Sequence, residues 1–185
     1  MLITRETPLR EKSIVLIGFM GVGKTTVGEM VAKKLYRSFI DIDQVIERDF
    51  GLPTTEIFKK YGEEKFREYE KNTVVSYCRQ RLKVISLGGG AFMNDEVRKA
   101  CLTNCIVFYL DVAWEEWKKR LNILIDSRPV LQDRSIDDIQ KLFYERQGLY
   151  AVNHSKLRVD ERSAEEVADY IVESLKLSWE IHDPQ

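Results

Sequence analysis

The stretch that most constrains this chain is Gly18-Phe19-Met20-Gly21-Val22-Gly23-Lys24-Thr25-Thr26. The apolar run Ile14-Val15-Leu16-Ile17 precedes it, and Val27, Met30, Val31 and Leu35 follow at helical spacing. The pattern predicts strand, glycine-rich turn and helix, the context in which G-x-x-x-x-G-K-[ST] forms a phosphate-binding P-loop. Glycine has no Cβ, so the backbone can close around an anion and take positive φ cheaply. The N–H groups of the turn and of the first helical turn, with the helix dipole, then favour phosphate oxygens. The expected ATP contacts are Gly21, Val22, Gly23, Lys24, Thr25 and Thr26. Lys24 is expected on the β/γ-phosphates, and the Thr25 hydroxyl on Mg²⁺.

Further strands are expected at 38–43, 83–87, 105–110 and 157–159, after a first one at 13–17. Helices fall between them, at about 24–36, 44–50, 54–61, 63–81, 95–102, 113–122 and 135–150. Along 63–81, Phe66, Tyr69, Val74 and Tyr77 are expected on or near one face. Ser163-Ala164-Glu165-Glu166 reads as a capping box for a last helix to about Leu177. Residues 1–12 read as a loose arm, and 178–185 as a tail without a signal of its own. Strands that alternate with helices predict an α/β fold with a parallel sheet and right-handed crossovers.

A chain of 185 residues favours a single domain, and 44% hydrophobic content suffices for a sizeable core. With 29 basic against 30 acidic residues there is no global basic surface for nucleic acid. Cys78, Cys101 and Cys105 have no Cys/His cluster beside them, so they read as reduced thiols of a cytoplasmic protein rather than zinc ligands. No apolar run approaches the length of a membrane span or signal peptide. The expected partners are small molecules, and the expected state is a monomer.

In open parallel sheets, ligands bind beyond the carboxyl ends of the strands. Three such ends carry unusual residues here: the P-loop, the pair Asp41 and Asp43, and the run Gly88-Gly89-Gly90. On an extended chain, Asp41 and Asp43 would share one side. One carboxylate would then sit near Mg²⁺ and the other over an acceptor hydroxyl, the two roles phosphoryl transfer needs. The three glycines would let a ligand approach bare backbone. Arg67 and Arg146 would fit a substrate carboxylate through bidentate bonds, and Arg128, beside Pro129, would fold over the phosphates like a lid. By side-chain chemistry alone, each of these arginines also reads as an ordinary surface residue. Met20, Trp114 and Trp117 read as core packing.

Taken in order, Gly18 to Thr26, Phe39 to Glu47, Glu56-Ile57-Phe58, Gly62-Glu63, Phe66 to Glu70, Gly88 to Ala91, Arg128 to Leu131, then Arg146 and Tyr150 resemble the shikimate kinase family over about 13–177. The resemblance implies a P-loop kinase fold with a five-stranded parallel sheet. It implies a core of 13–40, 83–112 and 135–177, a substrate-binding segment at about 41–70 and a lid at about 120–134. It also implies ATP-dependent phosphorylation of the 3-hydroxyl of shikimate, in aromatic amino-acid biosynthesis. Lys24, Asp43 and Arg128 would then be catalytic. Thr25 and Asp41 would serve the metal, and Asp43, Arg67, Gly88, Gly89, Gly90 and Arg146 would bind the acceptor. Arg120 would be a second lid arginine near the adenine, with 160–162 bordering the base. The family's Arg-Pro-Leu-Leu is Arg128-Pro129-Val130-Leu131 here, and His154 stands near a position where the family has a small residue. Other readings are a different small-molecule kinase, such as a gluconate kinase, and a non-catalytic ATP-binding regulator of the same fold.

Overall fold

The computed structural model describes residues 7–125 and 128–182. Its strands are β1 (Ile14–Ile17), β2 (Ser38–Asp41), β3 (Lys83–Ser86), β4 (Ile106–Asp111) and β5 (Ser155–Arg158). They form one five-stranded sheet in the order β2-β3-β1-β4-β5. Every pairing is parallel: Val15 lies between Ile85 and Val107, Ile40 pairs with Ile85, and Leu110 with Leu157. All of β1 is buried, as the unbroken apolar run Ile14-Val15-Leu16-Ile17 requires in a sheet covered on both faces.

The covering helices are α1 (Lys24–Leu35), α2 (Ile42–Phe50), α3 (Thr54–Tyr61), α4 (Glu63–Cys78) and α5 (Asp95–Asn104), followed by α6 (Trp114–Lys118), α7 (Leu121–Leu124), α8 (Ile136–Tyr150) and α9 (Ala164–His182). Helix α1 packs on α9, and α4 on α5. With β1 central, the P-loop emerges between the ends of β3 and β4, the crevice position of open α/β sheets. No helix among the described residues is long and apolar enough to cross a membrane.

Several boundaries differ from expectation. Strand β2 stops at Asp41, which caps α2 by accepting the Gln44 N–H, so Asp43 lies in the first helical turn. A local side-chain cap has won over strand continuation there. The inward face of α4 is Phe66, Glu70, Val74 and Cys78, a strict i, i+4 row, while Tyr69 is exposed. The stretch 113–122 breaks into α6 and α7, and β5 begins at Ser155 rather than Leu157. Helix α9 continues to His182, through what reads in sequence as tail, with Trp179 packed on the core. Of the arm, residues 7–12 are anchored: 9–11 form a 3₁₀ turn, and the Arg37 guanidinium donates to the Arg10 and Lys12 carbonyls. Residues 1–6 and 183–185 lie outside the described residues, as do Asp126 and Ser127 of the segment expected as a lid.

The three cysteines are free and buried, with Cys78 Sγ 3.6 Å from Cys101 Sγ. Trp114 and Trp117 do pack in the core, edge to face with Phe143 and Phe19 respectively. Trp117 also reaches the P-loop, where its Nε1–H donates to the Met20 carbonyl at 2.6 Å. Trp117→Phe keeps the aromatic packing but leaves that buried carbonyl without its donor, at a cost of about 1–3 kcal/mol. Urea unfolding should show a lower midpoint at unchanged m-value; a variant as stable as the parent would mean the bond contributes nothing to stability.

Candidate active site

Four consecutive carbonyls of the P-loop are tied back by donors. Lys24 Nζ donates to Gly18 O at 2.7 Å and Phe19 O at 3.0 Å. Trp117 takes Met20 O, and Arg120 Nη1 takes Gly21 O at 2.8 Å. Arg120 therefore braces the loop in this structure. Its neighbour α7 lies so close that a Cβ on Gly21 would come 2.4 Å from Leu124 Cδ1. Gly21 and Gly23 both take positive φ, 77° and 98°, as the motif requires. With the carbonyls committed, the free N–H groups at the start of α1 are left for an anion. Burial, helped by the nearby Arg128 charge, pulls the Lys24 ammonium down to about 7. An arriving phosphate would supply the missing counter-charge.

Asp41 and Asp43 have separated tasks. Asp41 Oδ1 caps α2, and its Oδ2 accepts the Thr25 hydroxyl at 2.6 Å. That places a hydroxyl and a carboxylate side by side on the cavity wall. Asp43 faces the acceptor side, where its Oδ2 accepts from Arg128 Nη1 at 3.2 Å. Burial raises the Asp43 carboxyl above its ordinary value, and Arg128 and Lys24 pull it back only in part. A 440 Å³ cavity runs from Gly23, Lys24 and Thr25 past Asp41 to Asp43, Gly89 and Arg128. Beyond it a 50 Å³ cavity is lined by residues that include Arg67, Glu70, Gly90 and Arg146, with Arg128, Pro129 and Val130 on part of its wall. Of the other expected contacts, Thr26 is exposed on α1, and the Val22 side chain is buried in the core.

Arg67 and Arg146 converge on that inner cavity from α4 and α8. Arg67 Nη1 donates to Glu70 Oε2 at 2.7 Å. Arg146 is 7% exposed, and its buried Nη1 has no partner among the described residues. A buried, unpaired guanidinium nitrogen in a pocket is a demand for an acceptor. The glycines make room for these groups as well as for a ligand. A Cβ on Gly88 would lie 2.7 Å from Asp43 Oδ1, and one on Gly90 would lie 2.7 Å from Arg67 Nη2. Tyr150 fastens the run from behind by donating to the Gly89 carbonyl.

Glu70 is the residue that sequence reading missed. Its carboxylate is buried, it pairs with Arg67, and its Oε1 has no partner among the described residues. The signal was present: Glu70 is four residues from buried Phe66 and three from Arg67, on one helical face.

The family model for shikimate kinase matches residues 20–176. A shikimate kinase of Oceanobacillus iheyensis is 55% identical over 96% of this chain and 97% of its own length. One from Bacillus subtilis is 55% identical over 97% of each chain. The solved shikimate kinase of Acinetobacter baumannii, in complex with shikimate, superposes with a TM-score of 0.84 at 32% identity, covering 90% of this chain and 94% of that one.

The raised Asp43 carboxyl has a consequence for stability. Between the ordinary carboxylate value and the raised one, the folded protein binds more protons than the unfolded chain, so stability falls as pH rises through that window and stays lower above it. Asp43→Asn cannot ionise, yet its amide oxygen can still accept from Arg128. It should therefore melt higher than the parent at pH 7, with the gain shrinking as pH approaches 4. An equal or lower melting temperature at pH 7 would contradict this assignment.

Proposed function

The chain belongs to the shikimate kinase family and catalyses ATP-dependent phosphorylation of the 3-hydroxyl of shikimate, and we propose that its two joined cavities divide that reaction into a donor half and an acceptor half. The observation that carries this reading is the continuous wall from Gly23-Lys24-Thr25 to Asp43, Gly89 and Arg128. In the donor half, the N–H groups of Gly21 to Thr26 and the Lys24 ammonium hold the ATP phosphates. Thr25 and Asp41 are hard oxygen donors already in contact, which fits Mg²⁺, an ion that keeps several waters and takes few protein ligands. When bound, the ion neutralises phosphate charge.

In the acceptor half, Arg67 and Arg146 grip the shikimate carboxylate. The unpartnered Arg146 Nη1 supports this role, since a carboxylate oxygen would satisfy it. Glu70 holds Arg67 in place, and Gly88 to Gly90 face the ring hydroxyls. Asp43 accepts the proton of the attacking 3-hydroxyl, and its burial makes it a stronger base than an exposed aspartate. Arg128 leaves Asp43 for the transferring phosphoryl group, where positioning and charge stabilisation supply most of the catalysis. The segment at about 120–134 acts as a lid. A cavity of only 50 Å³ beneath Arg128-Pro129-Val130 fits this, because shikimate cannot enter until that wall moves.

Two variants test the division in a coupled assay of shikimate-dependent ADP release. Asp43→Asn should lower kcat by about 10²–10⁴ while leaving ADP affinity nearly unchanged. Near-normal kcat would remove Asp43 from the role of base. Arg146→Lys loses the planar fork and should raise KM for shikimate about tenfold or more, with little change in KM for ATP. A matched rise in both constants would place Arg146 outside the acceptor half.

A further inference from the structure

A second cavity lies at the other end of the sheet. It measures 790 Å³ and abuts the first residues of β4 and β5, Ile106 and Ser155, whereas the P-loop follows the last residue of β1. In a parallel sheet those are opposite edges, so this cavity shares no wall with the catalytic crevice. Its polar lining includes Lys12, His154, Ser155, Ser174, Ser178 and His182. Its apolar wall includes Leu9, Phe108 and Leu175. Among the described residues, no aspartate or glutamate borders it.

The protonation pattern makes it a cavity of donors. His154 Nδ1 accepts the Val107 N–H at 2.9 Å, and the His154 backbone N–H donates to the Val107 carbonyl at 3.0 Å, which clamps the residue to β4. With Nδ1 occupied as an acceptor, a neutral ring carries its proton on Nε2, where it is a donor. Burial first, and then the Lys12 charge, hold the imidazole below its ordinary value and so in that neutral form. Lys12 is half-buried as a residue, and its ammonium has no carboxylate partner among the described residues. A cation among hydroxyl and imidazole donors is stabilised by an anion.

The geometry points to a binding site for a small organic anion, its charged group on Lys12 and His154 and its ring or chain against Phe108 and Leu175. Charge without an apolar body leaves that wall wet, and a body without charge leaves Lys12 unpaired, so the site requires both.

Benzoate is a suitable probe, added to the full chain in the presence of saturating shikimate so that Arg67 and Arg146 are occupied. The readouts are the His154 ring signals and the Val107 amide in ¹H–¹⁵N spectra. Benzoate should shift both saturably, while benzamide, without the charge, and acetate, without the ring, should each bind at least about tenfold more weakly. Lys12→Met should weaken benzoate about tenfold, and Ser174→Trp, which fills the cavity, should abolish the shifts while shikimate phosphorylation continues. Absence of a saturable shift, or equal binding of benzoate and benzamide, overturns the proposal. So does benzoate affinity unaltered in both variants.

Discussion

The structure depends on keeping four successive carbonyls of one loop turned away from the cavity. Peptide groups at Gly18, Phe19, Met20 and Gly21 would otherwise present oxygen to an anion and repel it. A lysine, an indole and a guanidinium hold them instead. The donors come from three places in the chain, the start of α1, α6 and the residue before α7. The loop's shape is therefore fixed by tertiary structure as much as by its glycines. Such preorganisation means that a phosphate meets aligned dipoles without reorganising them.

Around that loop the charges are arranged by pairs. Arg67 lies with Glu70, Arg128 with Asp43, and Thr25 with Asp41. Buried ions are costly unless paired, and each pair here offsets part of that cost before any ligand arrives. Among the described residues, Arg146 and Lys24 lack a carboxylate partner, and Arg146 keeps an orphaned Nη1 beside the glycine run. Gly88 and Gly90 complete the arrangement by what they lack, since a methyl group at either would press on Asp43 or Arg67.

The architecture was legible because parallel strands buried on both faces leave uninterrupted apolar runs, and the glycine-rich turn announced where the first of them ends. The aspartate pair was legible as residues but not as geometry. The pair Asp41 and Asp43 reads as strand, and only the Gln44 N–H bond to Asp41 reveals that the helix begins between them. Glu70 escaped because a carboxylate in a charged helix looks solvated until its face is known. The bracing by Trp117 and Arg120 escaped for a different reason. Contacts across 97 and 99 residues leave no periodic trace in one sequence. At the C-terminus, Trp179 on the core explains why α9 outlasts its polar composition.

The contact between Arg128 and Asp43 has a further consequence. One cation here has two possible anions, the aspartate it now holds and the phosphates across the cavity. A phosphate would compete with the aspartate for its donors. While the nucleotide is away, Arg128 offsets part of the proton affinity that burial gives Asp43. Once phosphate draws the guanidinium off, the carboxylate is left buried with its basicity unmasked. On the proposed roles, donor arrival and acceptor activation would be coupled as an electrostatic interlock, with Asp43 at full basicity only when there is a phosphoryl group to receive the nucleophile.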